Sequence, residues 1–114
     1  MKRFSISTPA HSDAKEVKFQ YYGRTDNPEE VIEKYKNSPS DRALQITDSQ
    51  TKKVIFRDIR PVKGYLTVEY KSNYTDVGNY IRTYYFHDLA IMRRWEHWYL
   101  YECESAIKVE RTIL

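Results

Sequence analysis

Hydrophobic and polar residues alternate with a period of two along much of the chain, which is typical of β-strands that bury one face. In residues 65–71, Leu66, Val68 and Tyr70 fall on one face, and the intervening side chains fall on the other. Similar patterns predict strands over residues 16–22, 42–47, 53–59, 79–86 and 106–113. The N-terminal residues alternate only weakly, so residues 1–15 are expected to form an edge strand or a flexible arm.

Residues 88–104 follow a helical period instead. At about 100° per residue, most of their apolar side chains, including Trp95 and Trp98, share one broad arc. Asp88 stands at the N-cap position, where its carboxylate can accept hydrogen bonds from the first free backbone N–H groups. This segment is therefore predicted to be an amphipathic helix whose apolar face covers a sheet.

A second, shorter helix is predicted near residues 28–37. It begins with Asn27 and Pro28, two residues that favour a helix start, and the proline at position 39 disfavours helical backbone just before it. Together the elements predict an α+β fold with a single domain over residues 1–114. Its largely antiparallel sheet is expected to hold about five to six strands, covered by the long C-terminal helix.

Charge and cysteine content narrow the classes of function. The chain holds 19 Lys and Arg against 16 Asp and Glu, a net charge of +3, which permits nucleic-acid binding without implying it. The single cysteine excludes an internal disulfide, and no Cys/His set has zinc-ligand spacing, so no metal and no cofactor are expected. No apolar run approaches the ~18 residues of a membrane span, which predicts a cytoplasmic protein without membrane contact.

Tyrosine is unusually frequent, with 11 among 114 residues. Many of these rings are expected to pack on half-buried sheet surface, which favours aromatic residues. Others are expected to form a contact surface, because tyrosine combines rigid area with a polar end. The candidate binding residues are Tyr65, Tyr74, Tyr80, Arg82, Tyr84 and Arg94. The mixture of aromatic and arginine side chains over residues 82–94 would also suit stacking on nucleic-acid bases.

Another pattern involves Asp58, Glu69 and Lys71. An acid on one hairpin strand and Glu-x-Lys on the next resembles the PD-(D/E)xK nuclease signature, and the order helix, three strands, helix, strand resembles the core of that family. The resemblance implies that Asp58 and Glu69 bind magnesium and that Lys71 orients or deprotonates a metal-activated water. The sequence departs from the signature, because Arg57 replaces the expected proline and an additional strand precedes the second helix. The alternative is a solvated hairpin face with alternating charges.

Three classes of function follow from these patterns. In size, compactness and surface composition the chain resembles small accessory proteins of phages and viruses, including anti-CRISPR and other anti-defence inhibitors. That resemblance implies a protein-binding module in the host cytoplasm, acting by occluding the surface of a host macromolecule. A nucleic-acid binder and a magnesium-dependent nuclease are the alternatives, and enzymatic activity is expected only under the last. The chain is expected to be a monomer or a homodimer.

Overall fold

A computed structural model describes residues 1–72 and 78–114, and within them the fold is α+β with two helices, as the sequence predicts. The described residues form seven strands, more than the five to six predicted. The elements are β1 (Phe4–Pro9), β2 (Phe19–Thr25), α1 (Pro28–Lys36), β3 (Ala43–Asp48), β4 (Lys53–Ile59), β5 (Gly64–Tyr70), β6 (Tyr80–Phe86), α2 (Leu89–Tyr101) and β7 (Ala106–Ile113). The strands form two antiparallel sheets, whereas a single sheet is predicted. The chain divides into two compact units, Met1–Pro61 and Val62–Leu114, each with its own sheet, helix and core.

The first unit has a four-stranded sheet in the order β2-β1-β3-β4. Its core is formed by Ile6, Tyr35, Leu44 and Ile46, so α1 packs against the sheet through its only buried aromatic ring. The sequence allows an edge strand or an arm at the N-terminus, and the structure places β1 between β2 and β3. A strand in this position is hydrogen-bonded along both of its edges.

The second unit has a three-stranded sheet in the order β6-β5-β7, with α2 on one face. Its buried core consists of Leu66, Val68, Tyr70, Phe86, Met92 and Tyr99. The helix approaches the sheet closely at Gly64, where an added Cβ would lie 2.8 Å from the carbonyl oxygen of Thr112 and 3.0 Å from Sδ of Met92. A larger residue at position 64 would therefore push the helix or β7 away.

Both helices begin at the caps that the sequence indicates. The Asn27 side-chain oxygen accepts a hydrogen bond from the backbone N–H of Glu30 at 3.3 Å. The Asp88 carboxylate accepts from the N–H groups of Ala90 at 2.8 Å and Ile91 at 3.3 Å. The first helix ends one residue before the predicted end, and the long helix has 13 residues, shorter than predicted.

The two sheets separate because β4 and β5 do not pair. The predicted turn after β4 contains Pro61, which lacks a backbone N–H group. Just beyond it, the backbone N–H of Lys63 donates a hydrogen bond to the carbonyl oxygen of Phe86, and the carbonyl oxygen of Lys63 accepts one from the N–H of Leu114. Strand β5 then lies between β6 and β7, so both of its edges are occupied within the second unit. The hydrophobic alternation of β5 predicts its faces correctly but carries no information on its neighbours.

Candidate interaction surface

Asp58 and Glu69 of the nuclease pattern lie on strands of different sheets. Asp58 is on β4 opposite Leu44 of β3, and Glu69 is on β5 between Ile81 of β6 and Lys108 of β7. Lys71 follows the end of β5. The hairpin on which the nuclease resemblance relies is therefore not formed by these strands. Within residues 1–72 and 78–114, no group of three or more His, Cys, Asp and Glu side chains could hold a metal ion.

The Asp58 carboxylate contacts the helix of its own unit. Its Oδ2 accepts a hydrogen bond from the Tyr35 hydroxyl at 2.7 Å, and burial together with this bond raises the pKa of Tyr35. The Arg60 guanidinium lies 4.2 Å from the centre of the Tyr35 ring and donates to the Tyr35 carbonyl oxygen at 3.0 Å. Asp58 and Arg60 thus hold the end of α1 against the sheet, which is a structural use of the carboxylate.

Four of the six candidate binding residues lie on one surface of the second unit. Tyr80, Arg82 and Tyr84 alternate along β6 and therefore share the face on which α2 packs. Arg94 projects from α2 into the same region, next to Trp95 and Trp98. We name this surface the aromatic ledge and define it by its six residues: Tyr80, Arg82, Tyr84, Arg94, Trp95 and Trp98.

The two remaining candidates lie elsewhere. Tyr65 is on the opposite face of the sheet, where its ring packs against Tyr85 with centroids 5.6 Å apart. Tyr74 falls outside the described residues. The ledge therefore contains four predicted residues together with Trp95 and Trp98, which are predicted only as helix residues that cover the sheet.

The base of the aromatic ledge is a packed network of rings. The hydroxyls of Tyr70 and Tyr84 are 2.7 Å apart, and Tyr99 stacks on Tyr84 with ring centroids 5.6 Å apart and planes 18° apart. Tyr80 stacks on Tyr70 at 5.0 Å. Burial raises the pKa of Tyr99 to about 12 and also raises that of Tyr70, so both hydroxyls are neutral at physiological pH. The rings above this base are held in place before any partner arrives.

The upper part of the aromatic ledge is open to solvent. The exposed fraction is 50% for Trp98 and 45% for Tyr80, and Arg82 and Arg94 are also exposed. Beside Trp98 lies a hollow of about 290 Å³ lined by Arg94, Trp95, Trp98 and Tyr99. The Arg82 guanidinium lies 5.6 Å from the centre of the Tyr80 ring. A flat ring, a hollow and two arginines therefore face solvent together.

Trp98 is the ledge residue that the sequence pattern misplaces. The helical arc suggests that Trp98 faces the sheet, but the two buried residues of α2 are Met92 and Tyr99. A three-stranded sheet is too narrow to cover so wide an apolar arc, and Leu100 and Tyr101 are exposed as well. The width of the arc is visible in the sequence, but the narrowness of the sheet beneath it is not.

The first unit contains a separate hollow of about 510 Å³ beside α1, lined in part by Val31, Lys34 and Arg42. Arg42 is buried, and its guanidinium donates to the carbonyl oxygens of Ser12, Ala14 and Lys15. Burial lowers the pKa of Arg42. These bonds fasten the segment between β1 and β2, so the buried charge serves the fold of its own unit.

Comparison with protein-family models, curated proteins and solved structures finds no match to this chain. Among the helices that the structure describes, none is both long enough and apolar enough to cross a membrane.

Proposed function

We propose that this chain is a protein-binding module whose contact surface is the aromatic ledge. The observation that carries the proposal is Trp98, which is half exposed beside Arg94 and packs edge-on against Tyr99, a member of the buried tyrosine network. Tryptophan, tyrosine and arginine are the residue types that supply most binding energy at protein interfaces. A large ring that is already fixed loses little conformational freedom on binding.

The neighbouring surface supports a protein partner. Tyr101, three residues after Trp98 and on the same side of α2, extends the exposed apolar area, with an exposed fraction of 73%. An apolar centre with charged groups at its margin is the usual composition of a protein interface. Arg82 and Arg94 supply the charged margin here.

Nucleic-acid binding is the second candidate, because exposed rings beside arginines can also stack on bases. The charge of the second unit favours the protein partner instead. Residues 62–114 contain seven Lys and Arg and seven Asp and Glu, whereas a nucleic-acid surface is normally embedded in a basic domain. The nuclease alternative has less support, because its two acids, Asp58 and Glu69, lie on strands of different sheets.

Action by occlusion completes the proposal. A small chain bound to the surface of its partner would prevent other molecules from binding to that surface, and this requires no chemical step. The resemblance of the chain to small phage and virus inhibitors supports a host protein as the blocked partner. The cytoplasm of the host would then be the place of action.

The proposal is tested by affinity capture with three forms of the tagged chain. The unmodified chain, Trp98→Ala and Tyr21→Ala are incubated with bacterial lysate that has been treated with nuclease. Tyr21 is the matched control because it is an exposed aromatic residue, 65% exposed, on a strand of the first unit.

We expect the unmodified chain to capture a partner protein from the nuclease-treated lysate. Tyr21→Ala should capture the same protein, and Trp98→Ala should not. A band that both variants retain equally would place binding elsewhere and contradict the proposal. If a parallel capture from lysate that has not been treated with nuclease recovers nucleic acid and no protein, the second candidate is favoured.

A further inference from the structure

Four strands lie at sheet edges in the described part of the chain, and three of them are interrupted by an additional residue. In β2, Tyr22 has no partner in the register with β1, and Ile55 of β4 is skipped in the same way opposite β3. In β7, Ile107 is skipped opposite β5. Each of these residues is a β-bulge in the edge strand itself, and all three side chains are exposed.

Bulges and charged side chains are the usual means by which proteins prevent another strand from adding to an open edge. Strand β4 carries Lys53, Arg57 and Asp58, and β7 carries Lys108, Glu110 and Arg111 in addition to its bulge. Strand β2 has its bulge and Arg24. These three edges are therefore poor templates for a further strand.

The fourth edge, β6, has no bulge. Its seven residues pair with β5 without interruption, from Tyr80 opposite Tyr70 to Phe86 opposite Gly64. Arg82 is its only charged residue. Within the described residues β5 is its only strand neighbour, so the other edge of the strand offers free backbone donors and acceptors. A regular and nearly uncharged edge beside an exposed aromatic surface is the arrangement that strand addition requires.

Resting on the function proposed above, we propose that β6 accepts an extended, acidic segment of the protein partner as an additional strand of the second sheet. A strand added at about 4.8 Å from β6 directs every second side chain toward the α2 side of the sheet. There the side chains meet Arg82 and the hollow between Arg94 and Trp98. Every second side chain of the segment would therefore contact the aromatic ledge.

The charges on this side select the chemistry of the segment. Neither Arg82 nor Arg94 takes part in an ion pair within the described residues. A carboxylate on the added strand would supply the missing counter-charge, and an aliphatic or aromatic side chain two residues away would fill the hollow. A second copy of this chain cannot supply that carboxylate through β6, because the sequence of β6, YIRTYYF, contains no acid.

The opposite face of the added strand has different requirements. Ile81 and Thr83 of β6 lie on the face away from α2, and both are exposed and uncharged. Threonine or valine on the added strand would suit these neighbours, since β-branched side chains pack well across strands. The expected segment therefore alternates acidic or apolar residues with β-branched ones.

Selection from a phage-displayed library of random peptides of about twelve residues tests this inference directly. The library is selected against the full chain, and an enriched peptide is synthesised in three forms. One is unmodified, and the other two carry N-methyl groups on the odd-numbered or on the even-numbered residues of its central segment. Only one of the two alternate sets of amides faces the edge of a neighbouring strand.

We expect enriched peptides with an acid and an apolar residue two positions apart. One N-methylated form should lose affinity by about tenfold or more, while the other should change by less than about twofold. Arg82→Glu should weaken binding by about tenfold, whereas Arg93→Glu, an exposed arginine outside the ledge, should change it by less than about twofold.

The remaining outcomes overturn the inference in different ways. If both N-methylated forms bind equally and Trp98→Ala abolishes binding, strand addition is wrong and the proposed function stands. If Trp98→Ala also has no effect, the ledge is not the contact surface and both proposals fail. If no peptide is enriched, or the enriched peptides lack acids, the acidic segment is contradicted.

Discussion

Three arginines of the first unit are engaged within its fold, whereas two arginines of the second unit are exposed. In the first unit, Arg3 is bound to Asp48 at 2.7 Å, Arg42 to backbone carbonyls, and Arg60 to the end of α1. In the second, Arg82 and Arg94 extend from an exposed surface without an ion pair in the described residues. Arginines that are engaged internally stabilise a fold, whereas exposed arginines beside fixed aromatic rings are available to a partner.

The buried aromatic rings of the two units also differ in what they support. In the first unit, Tyr35 is buried against Phe56 and Asp58. In the second, a buried layer of tyrosines supports a half-exposed tryptophan. We infer that the first unit consists mainly of scaffold and that the second carries the contact surface.

Met92→Ala and Trp98→Ala separate the core of the second unit from its surface. Met92 is fully buried, so its truncation should lower the free energy of unfolding by about 3 kcal/mol. Trp98 is half exposed, so its truncation should cost less than about 1 kcal/mol. Urea unfolding followed by far-ultraviolet circular dichroism measures both. Equal losses would mean that Trp98 belongs to the core and not to a contact surface.

Arg42→Met tests whether the buried charge of the first unit is structural. The variant keeps the aliphatic stem but leaves the carbonyl oxygens of Ser12 and Lys15 without their donor, so the loss in stability should be about 2 kcal/mol. Arg57→Met is the control, because Arg57 is exposed and should tolerate the change within about 0.5 kcal/mol. Thermal unfolding compares the two variants. A neutral result for Arg42→Met would contradict a structural role for this arginine.

Tyr70→Phe probes the base of the aromatic ledge. It removes the hydrogen bond between the Tyr70 and Tyr84 hydroxyls and should cost about 1 kcal/mol. Tyr65→Phe removes a hydroxyl from the opposite face of the same strand and serves as the control. Denaturant unfolding should distinguish them, and equal stabilities would indicate that the tyrosine network adds no rigidity to the ledge.

Asp48 should make the free energy of unfolding of the first unit depend on pH, and only at acidic pH. The hydrogen bond from Arg3 is the main cause that holds the pKa of Asp48 below its usual range. The resulting stability is therefore present above the pKa of an unfolded aspartate, about 4, and is lost as pH falls toward the lower folded value. Asp48→Asn should flatten the dependence of the unfolding midpoint on pH below about 4. Glu16→Gln, at an exposed carboxylate, should leave the dependence unchanged, and an unaltered slope in Asp48→Asn would refute the assignment.

The elements of the fold were largely predictable because each has a local signature. The bounds of β4 and β7 coincide with the predicted ones, and the N-cap of α2 is the predicted Asp88. Sheet membership was not predictable in this way. The alternation in β5 is the same whether its neighbour is β4 or β7, and its pairing with β7 joins Gly64 to Ile113, far apart in the sequence.

The candidate surface was predictable only in part, for a similar reason. Period-two spacing already places Tyr80, Arg82 and Tyr84 on one face of a strand. The sequence does not show that this face lies under α2 or that Trp98 is exposed above it. Both depend on how much of the helix a three-stranded sheet can cover. The bulges at the other three edges also leave no signature in the sequence, since an additional residue changes only the register of a pair.

The central claim is that the second unit carries the contact surface, at the aromatic ledge and the open edge of β6. Amide hydrogen exchange tests it most directly, measured on the chain alone and on its complex with the partner protein whose capture requires Trp98. The account predicts slower exchange on binding in β6 and in the part of α2 around Trp98, with β2 and β4 unchanged. Protection confined to strands of the first unit, or none in β6 and α2, would contradict it.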